Sequence, residues 1–206
     1  MLFQQPLFGR FLIQSVHIGN VCSRDQVPIR VHGNLDRAVP HLLLHKAVTV
    51  SLLVGTIRTL VQYTQRPAEI LAALNERMWG RSQGGFTTCL VLRADPDGSL
   101  TLANAGHLPP YVQGKEVPIE NGVPLGLEAT SKYTESRFQL AEGDKLTLVT
   151  DGIAEARNNS GELFGFERTA AISMEPAKNI VDTAQQFGQR DDITVLTLMR
   201  IAAVSA

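Results

Sequence analysis

The sequence predicts an α+β layered domain in which helices cover one face of a mostly antiparallel sheet. Two helical segments follow one another between residues 42 and 79, a block of strand-like segments joined by short turns comes next, and short helices precede a last strand. Because helices and strands occur in blocks instead of alternating, this order favours an α+β domain over a doubly wound parallel sheet. With 206 residues, of which 44% are hydrophobic, the chain can build one such domain around a real core.

The helical segments are predicted from apolar spacing and start signals. From Leu42 to about Tyr63, apolar residues recur at helical spacing. The segment PAEILAALNERMW, residues 67–79, has a proline in its first turn and an acid close behind, which is typical of a helix start. Residues 1–41 show neither clean alternation nor helical spacing, so we expect an atypical, poorly ordered N-terminal segment, a domain over 42–201 and a frayed tail over 202–206.

The strands are predicted from β-rich segments and turn chemistry. GFTTCLVLRA and SLTLANA flank the turn DPDG and predict a hairpin. YTESRFQL alternates between polar and apolar residues, KLTLVT follows it after a short turn, and DITVLTLMRI is the last predicted strand. A polar loop is expected after Asp151, and then two short helices around residues 166–173 and 177–187.

Composition excludes several classes of function. The net charge of -1, from 19 basic and 20 acidic residues, provides no basic excess for nucleic acid or anionic lipid, and a nuclease would need a basic groove. The best candidate for a membrane span, the uncharged stretch over residues 47–57, is well short of the roughly 20 residues that span a bilayer. Cys22 and Cys89 form neither a disulfide framework nor a CxxC zinc motif, which fits the reducing cytoplasm.

Acidic residues stand at the ends of two predicted strands. Asp151 follows KLTLVT, and Asp191 and Asp192 precede ITVLTL. If these strands are antiparallel neighbours, Asp151 and Asp191 converge, and like charges in proximity cost energy unless a cation lies between them or one carboxylate takes up a proton. Oxygen ligands suit Mg²⁺ or Mn²⁺, and Gly152 allows backbone or substrate to approach closely. Asp-Gly is also a common turn dipeptide and Asp191 can simply begin a strand, and spacing alone favours that structural interpretation.

Four motifs in order carry a resemblance to a known family. They are FTTCLVLRADPDGSLTLANAGHLPPYV, GVPLGL, LTLVTDGIAEARNNSGELFGFER and QRDDITVLTLMR. Together, over roughly Val48 to Arg200, they resemble PPM-type metal-dependent serine/threonine phosphatases, in the branch of stage II sporulation protein E and the sigma-factor regulatory phosphatases. The resemblance implies an α-β-β-α sandwich with two divalent ions, Mn²⁺ or Mg²⁺, at one edge of the sheets.

The resemblance also implies roles for individual residues. Asp151 and Asp191 correspond to metal ligands at the catalytic centre, and Asp192 to a neighbour that orients the site. The implied reaction is hydrolysis of phosphoserine or phosphothreonine by a metal-activated water, on a protein such as an anti-sigma-factor antagonist. Relatives often form homodimers, so a homodimer is one expectation here.

Two further residues in the motifs have ordinary structural explanations. His107 can donate a proton to the leaving group or fix a turn, and the second interpretation is favoured. Glu155 is expected to make local hydrogen bonds or face solvent. GVPLGL is interpreted as a tight loop leading back into the sheet, because its glycine spacing matches neither the dinucleotide signature nor the P-loop.

The N-terminal part departs from the family pattern. Residues 1–46 contain only Asp25 and Asp36, and neither lies in the GD or Asp-x-Ser-Gly motifs that supply the remaining acidic ligands in relatives. Three hypotheses stay open: a natural pseudophosphatase, a fragment of a longer protein, and a frameshift before about residue 46. Incomplete N-terminal strands, weak metal binding and weak or absent turnover are expected, so an enzyme and a non-catalytic interaction domain on the same fold remain alternatives.

Overall fold

The computed structural model describes residues 10–15, 53–80, 86–189 and 192–201, with residues 10–15 described by their backbone. The strands are β1 (Arg10–Ser15), β2 (Cys89–Ala94), β3 (Ser99–Ala105), β4 (Tyr111–Val112), β5 (Lys115–Glu116), β6 (Glu135–Gln139), β7 (Lys145–Val149) and β8 (Val195–Met199). The helices are α1 (53–60), α2 (Pro67–Met78), α3 (Asp151–Ala154), α4 (Gly165–Ile172) and α5 (Ala177–Phe187).

The predicted elements correspond closely to these bounds. The second helix, the hairpin and the two late helices are confirmed as α2, β2–β3, α4 and α5. The first predicted helix is helical over 53–60, and its part before residue 53 lies outside the described residues, as does the tail 202–206. Four elements were not predicted: β1 within the N-terminal segment, the two-residue strands β4 and β5, and the single helical turn α3 where a polar loop was expected.

The strands form two antiparallel sheets of four. The first has the order β1-β2-β3-β6 and the second the order β5-β4-β7-β8. β1 pairs with β2 from Arg10 opposite Ala94 to Ser15 opposite Cys89, so the N-terminal segment contributes one edge of the first sheet. The sequence predicts that the N-terminal strands are incomplete. Within the described residues, β1 is the strand that the N-terminal segment adds to the first sheet.

Three apolar clusters show that the sheets are stacked between two layers of helices. One cluster joins α1 and α2 to the outer face of the first sheet, one fills the space between the sheets, and one joins the second sheet to α3, α4 and α5. Alternate residues of β2 serve two clusters, since Cys89 and Val91 face the helices and Leu90 and Leu92 face the other sheet. The predicted α-β-β-α sandwich is therefore confirmed. None of the helices in the described ranges combines the length and apolar character needed to cross a bilayer.

Candidate functional site

The C-terminal end of β7 is joined to the N-terminal end of β8. The two strands are antiparallel, and their last pair is Val149 opposite Val195. Just beyond it, the Thr150 amide donates to the Thr194 carbonyl at 3.0 Å, and the Thr194 amide donates to Thr150 Oγ1 at 2.9 Å. The antiparallel pairing on which the sequence argument depends is therefore present, and the chain segments that carry the strand-end acids leave the sheet side by side.

Asp151 is the first residue of α3 and is partly exposed. Its carbonyl accepts a hydrogen bond from the Glu155 amide at 2.8 Å, which closes the single turn of this helix. Its side chain is thus presented at the edge of the second sheet, directly after the buried residues Val149 and Thr150. Glu155, at the end of the turn, is exposed, in agreement with its expected solvent-facing role.

Gly152 brings the second acidic segment against α3. A Cβ built on this buried glycine would lie 2.3 Å from the Asp192 carbonyl oxygen and 2.7 Å from Gln189 Nε2, so only a hydrogen fits there. The close backbone approach expected at Gly152 is present, and the backbone that approaches is that of residue 192. The Asp192 side chain is exposed. Asp191 lies outside the described residues, so its convergence with Asp151 stays a prediction.

The described part of the chain contains an incomplete set of metal ligands. In the ranges from 53 onward, no three His, Cys, Asp or Glu side chains come together in a way that could hold an ion. The Asp151 carboxylate has the hard oxygen donors that Mg²⁺ and Mn²⁺ prefer. One carboxylate does not hold a pair of such ions, because their mutual repulsion needs several negative ligands to offset it. The described residues alone therefore do not fit a two-ion centre.

His107 lies in the segment that connects the first sheet to the second, and hydrogen bonds to its main-chain amide and carbonyl fix its position. The Asn104 side chain accepts a hydrogen bond from the His107 amide at 3.0 Å and donates to the His107 carbonyl at 2.7 Å. The ring is 3% exposed, and Nε2 has no hydrogen-bond partner among the described residues. Burial lowers the pKa of His107 to about 4, so the ring is neutral at pH 7 and a poor proton donor. This geometry supports the turn-fixing interpretation.

The GVPLGL segment packs back onto the first sheet as a tight loop. Thr87 and Leu125 exchange two main-chain hydrogen bonds of 3.0 and 2.8 Å. The Gly126 amide donates to Asn75 Oδ1 of α2 at 2.8 Å. The loop therefore carries the structural role predicted for it.

A cleft that sequence reasoning did not identify opens beside α3. Its volume is about 540 Å³, and it is lined on one side by Glu155, Arg157, Asn158 and Asn159 and on the other by Gly188 and Gln189. The only sequence signal was the polar run EARNNSGE, which was interpreted as a loop. The cleft could not be inferred from that run because its second wall comes from the end of α5.

Comparison with known proteins places these features in a family. The family model of stage II sporulation protein E (SpoIIE) matches residues 44–201. The phosphoserine phosphatase RsbU of Bacillus subtilis is 24% identical over 197 residues, which cover 87% of this chain and 57% of RsbU. Protein IcfG of Synechocystis is 29% identical over 119 residues, covering 50% of this chain and 19% of IcfG. The chain thus spans less than two thirds of the length of either relative.

Solved structures share the fold. The SiaA-PP2C domain of Pseudomonas aeruginosa superposes with a TM-score of 0.63 at 25% identity, covering 77% of this chain and 70% of that domain. The RsbU and RsbW domains of Rv1364c from Mycobacterium tuberculosis give a TM-score of 0.59 at 19% identity, covering 97% of this chain and 62% of that chain. The PP2C phosphatase domain of SpoIIE from Bacillus subtilis, solved with a fragment of its regulatory domain, gives a TM-score of 0.53 at 16% identity, covering 93% of this chain and 64% of that chain.

Proposed function

The chain belongs to the stage II sporulation protein E family, and from this premise we propose that it is a protein serine/threonine phosphatase acting on a phosphoserine regulator in bacterial signalling. The observation that carries the proposal is the strand-end edge, where Thr150 and Gly152 hold the Asp151 segment against residues 192 and 194. The family model matches residues 44–201, and this range includes both chain segments that form the edge. The likeness to the phosphoserine phosphatase RsbU supports phosphoserine as the substrate.

In this proposal Asp151 and Asp191 are the residues that would hold Mn²⁺ or Mg²⁺. Such ions supply an activated water and offset the charge of a phosphoryl group when they are bound. The net reaction is the hydrolysis of a phosphomonoester: the bond between phosphorus and the seryl oxygen breaks, the water oxygen joins phosphorus, and the seryl oxygen takes up a proton. The proposed substrates include phosphothreonine proteins, and the proposed partner is an anti-sigma-factor antagonist. We further propose that the protein forms a homodimer and acts in the cytoplasm.

A second function is favoured by a specific observation. The described residues contain no cluster of three metal-binding side chains, and residues 1–46 contain only Asp25 and Asp36 as aspartates. A chain with these ligands binds ions weakly and turns substrate over slowly or not at all. It would then act as a pseudophosphatase, an interaction domain that binds a phosphoprotein without hydrolysing it.

Phosphate release from a phosphoserine peptide with added Mn²⁺ distinguishes the two functions. We expect weak, Mn²⁺-dependent release by the wild type and a further loss of about 100-fold in Asp151→Asn, because a ligand change costs at least as much as a change in its supporting residues. Asp182→Asn is the matched control, since among the described residues the Asp182 carboxylate pairs with Lys178 alone, in an exposed ion pair on α5. Release that persists unchanged in Asp151→Asn refutes the assignment of Asp151, and peptide binding without release supports the interaction domain.

A further inference from the structure

The loop after α3 is a closed turn with a defined backbone. Asn158 Oδ1 accepts hydrogen bonds from the amides of Ser160 and Glu162, both at 3.0 Å, and from the Ser160 hydroxyl at 2.7 Å. The Asn158 amide donates to the Glu162 carbonyl at 3.1 Å. A side chain that projects from this turn therefore starts from a fixed position, which lowers the entropy that binding would cost.

The end of α5 supports the same turn from the other side. Gly188 has φ of 128°, and a Cβ at this position would lie 2.3 Å from the Arg157 carbonyl oxygen. The backbones of Arg157 and Gly188 are thus in direct contact. The cleft between them has two walls fixed by main-chain packing, so Arg157 is anchored at its backbone.

The Arg157 guanidinium is exposed and has unused hydrogen-bonding capacity. Its Nη1 donates to the Gly161 carbonyl at 3.1 Å, and within the described ranges it forms no ion pair with a carboxylate. Arg168, by contrast, is ion-paired with Glu162 and lies 5.2 Å from the ring centroid of Phe187. A guanidinium has five N–H donors in a planar fork that matches a carboxylate, so most of the donors of Arg157 remain for a ligand in the cleft that it lines.

The cleft adjoins the strand-end edge. Glu155, one of its lining residues, donates its amide to the Asp151 carbonyl at 2.8 Å. Gln189, on the opposite wall, approaches Gly152 so closely that a Cβ there would lie 2.7 Å from Nε2. A volume of about 540 Å³ exceeds what a single phosphate group needs and accommodates side chains of a peptide.

We propose that this cleft is a substrate-recognition subsite in which Arg157 binds an acidic side chain a few residues from the phosphoserine of the protein substrate. The inference rests on the proposed function, since it names the substrate class of the same site. Arg157 supplies specificity and not chemistry: it selects phosphoproteins whose phosphoserine has Asp or Glu nearby. Glu155 lines the same cleft with the opposite charge, so it weakens the binding of an acidic peptide.

Fluorescence anisotropy with two fluorescein-labelled peptides tests the proposal on the full chain, with and without Mn²⁺. One peptide carries phosphoserine flanked by aspartates and the other carries phosphoserine flanked by asparagines. We expect the wild type to prefer the first, and Arg157→Gln to lower the affinity for it by about tenfold while leaving the second unchanged, which is the size of one charge-assisted hydrogen bond. Glu155→Gln should raise the affinity for the acidic peptide by about twofold, as for an exposed charge pair.

Two variants guard against trivial explanations. Arg137→Gln removes one charge from an exposed arginine on β6 of the first sheet and should leave both affinities unchanged. If Arg157→Gln does not fold, Asn159→Asp replaces it, because the exposed Asn159 side chain makes no hydrogen bond in the described structure and the added charge should repel the acidic peptide.

Equal affinity of the wild type for both peptides, or an unchanged preference in Arg157→Gln, overturns the inference. Hydrolysis reports separately on the proposed function. A preference that depends on Arg157 without any phosphate release refutes the hydrolytic function and supports the subsite. Release with an unchanged KM for the acidic peptide in Arg157→Gln supports the function and overturns the subsite.

Discussion

Replacing Gly152 with alanine should destabilise the protein because of a single close contact. The new Cβ would lie 2.3 Å from the Asp192 carbonyl oxygen and 3.3 Å from its carbonyl carbon, where ordinary contacts of a Cβ begin near 3.4 Å. Both atoms belong to the backbone, so no side chain can rotate away to relieve the contact. Either α3 or the segment around residue 192 must therefore move by about 1 Å to restore an ordinary contact distance, and overpacking forces backbone shifts of this kind.

The size of the effect follows from two opposing terms. Overpacking of a buried site costs about 1–3 kcal/mol. Alanine regains about 0.5–1 kcal/mol over glycine within a helix, because glycine loses more backbone freedom on folding. The net loss is therefore about 1–2 kcal/mol, which lowers the Tm of a domain of this size by about 2–8 °C.

Gly55 offers a matched control for the same substitution. It lies in α1, is exposed, and a Cβ there would have no atom within 4 Å. Gly55→Ala should therefore raise the free energy of unfolding by about 0.5–1 kcal/mol, with the opposite sign to Gly152→Ala. Thermal unfolding followed by circular dichroism measures both. A Gly152→Ala protein that is as stable as Gly55→Ala would refute the close approach of residue 192 to α3.

Three further perturbations test separate parts of the structure. Asn75→Ala should lower the free energy of unfolding, measured in urea, by about 2–4 kcal/mol, because the Gly126 amide and the Glu128 carbonyl lose their partner. His107 has a pKa of about 4 in the folded protein and 6.5 in the unfolded chain, so the unfolded chain binds the proton first as pH falls. Up to about 3 kcal/mol of the free energy of unfolding is therefore lost between pH 6.5 and pH 4. In urea titrations at a series of pH values, His107→Leu should reduce this dependence of stability on pH. Burial raises the pKa of the Cys89 thiol to about 12, so in a variant without the chain's other cysteine a thiol reagent should react only after denaturant is added.

Most elements could be predicted from the sequence because their signals are local. The proline and acid at the start of α2, and the Asp and Gly of the turn between β2 and β3, act within a few residues and specify these elements directly. β1 has no such signal, since its apolar residues are only the three between Arg10 and Gln14 and no turn motif delimits them. Its strand conformation depends on pairing with β2, far away in the chain, and single-sequence patterns do not report such pairing.

The candidate site likewise has features that local sequence signals predict and features that depend on contacts distant in the chain. The carboxylate of Asp151 at a strand end and the small residue after it could be recognised from KLTLVT-Asp-Gly. The antiparallel pairing of β7 with β8 was a condition of the sequence argument, and the structure shows that it is met. What occupies the space at Gly152, and the subsite at Arg157, could not be predicted. Both depend on residues 188, 189 and 192, which lie more than 30 positions further along the chain and meet the Asp151 segment only through tertiary packing.

The edge that presents Asp151 is held by contacts that do not involve its carboxylate. Thr150 and Thr194 exchange hydrogen bonds, and Gly152 packs against the backbone of residue 192, so Asp151→Asn should fold like the wild type. A loss of hydrolysis in Asp151→Asn would then report on a missing ligand. Gly152→Ala keeps every carboxylate and displaces either α3, which begins with Asp151, or the segment around residue 192, so a loss of hydrolysis there would report on a misplaced ligand. If the chain is an interaction domain, Asp151→Asn should not change phosphopeptide binding. The two variants together therefore separate the chemistry of the edge from its geometry.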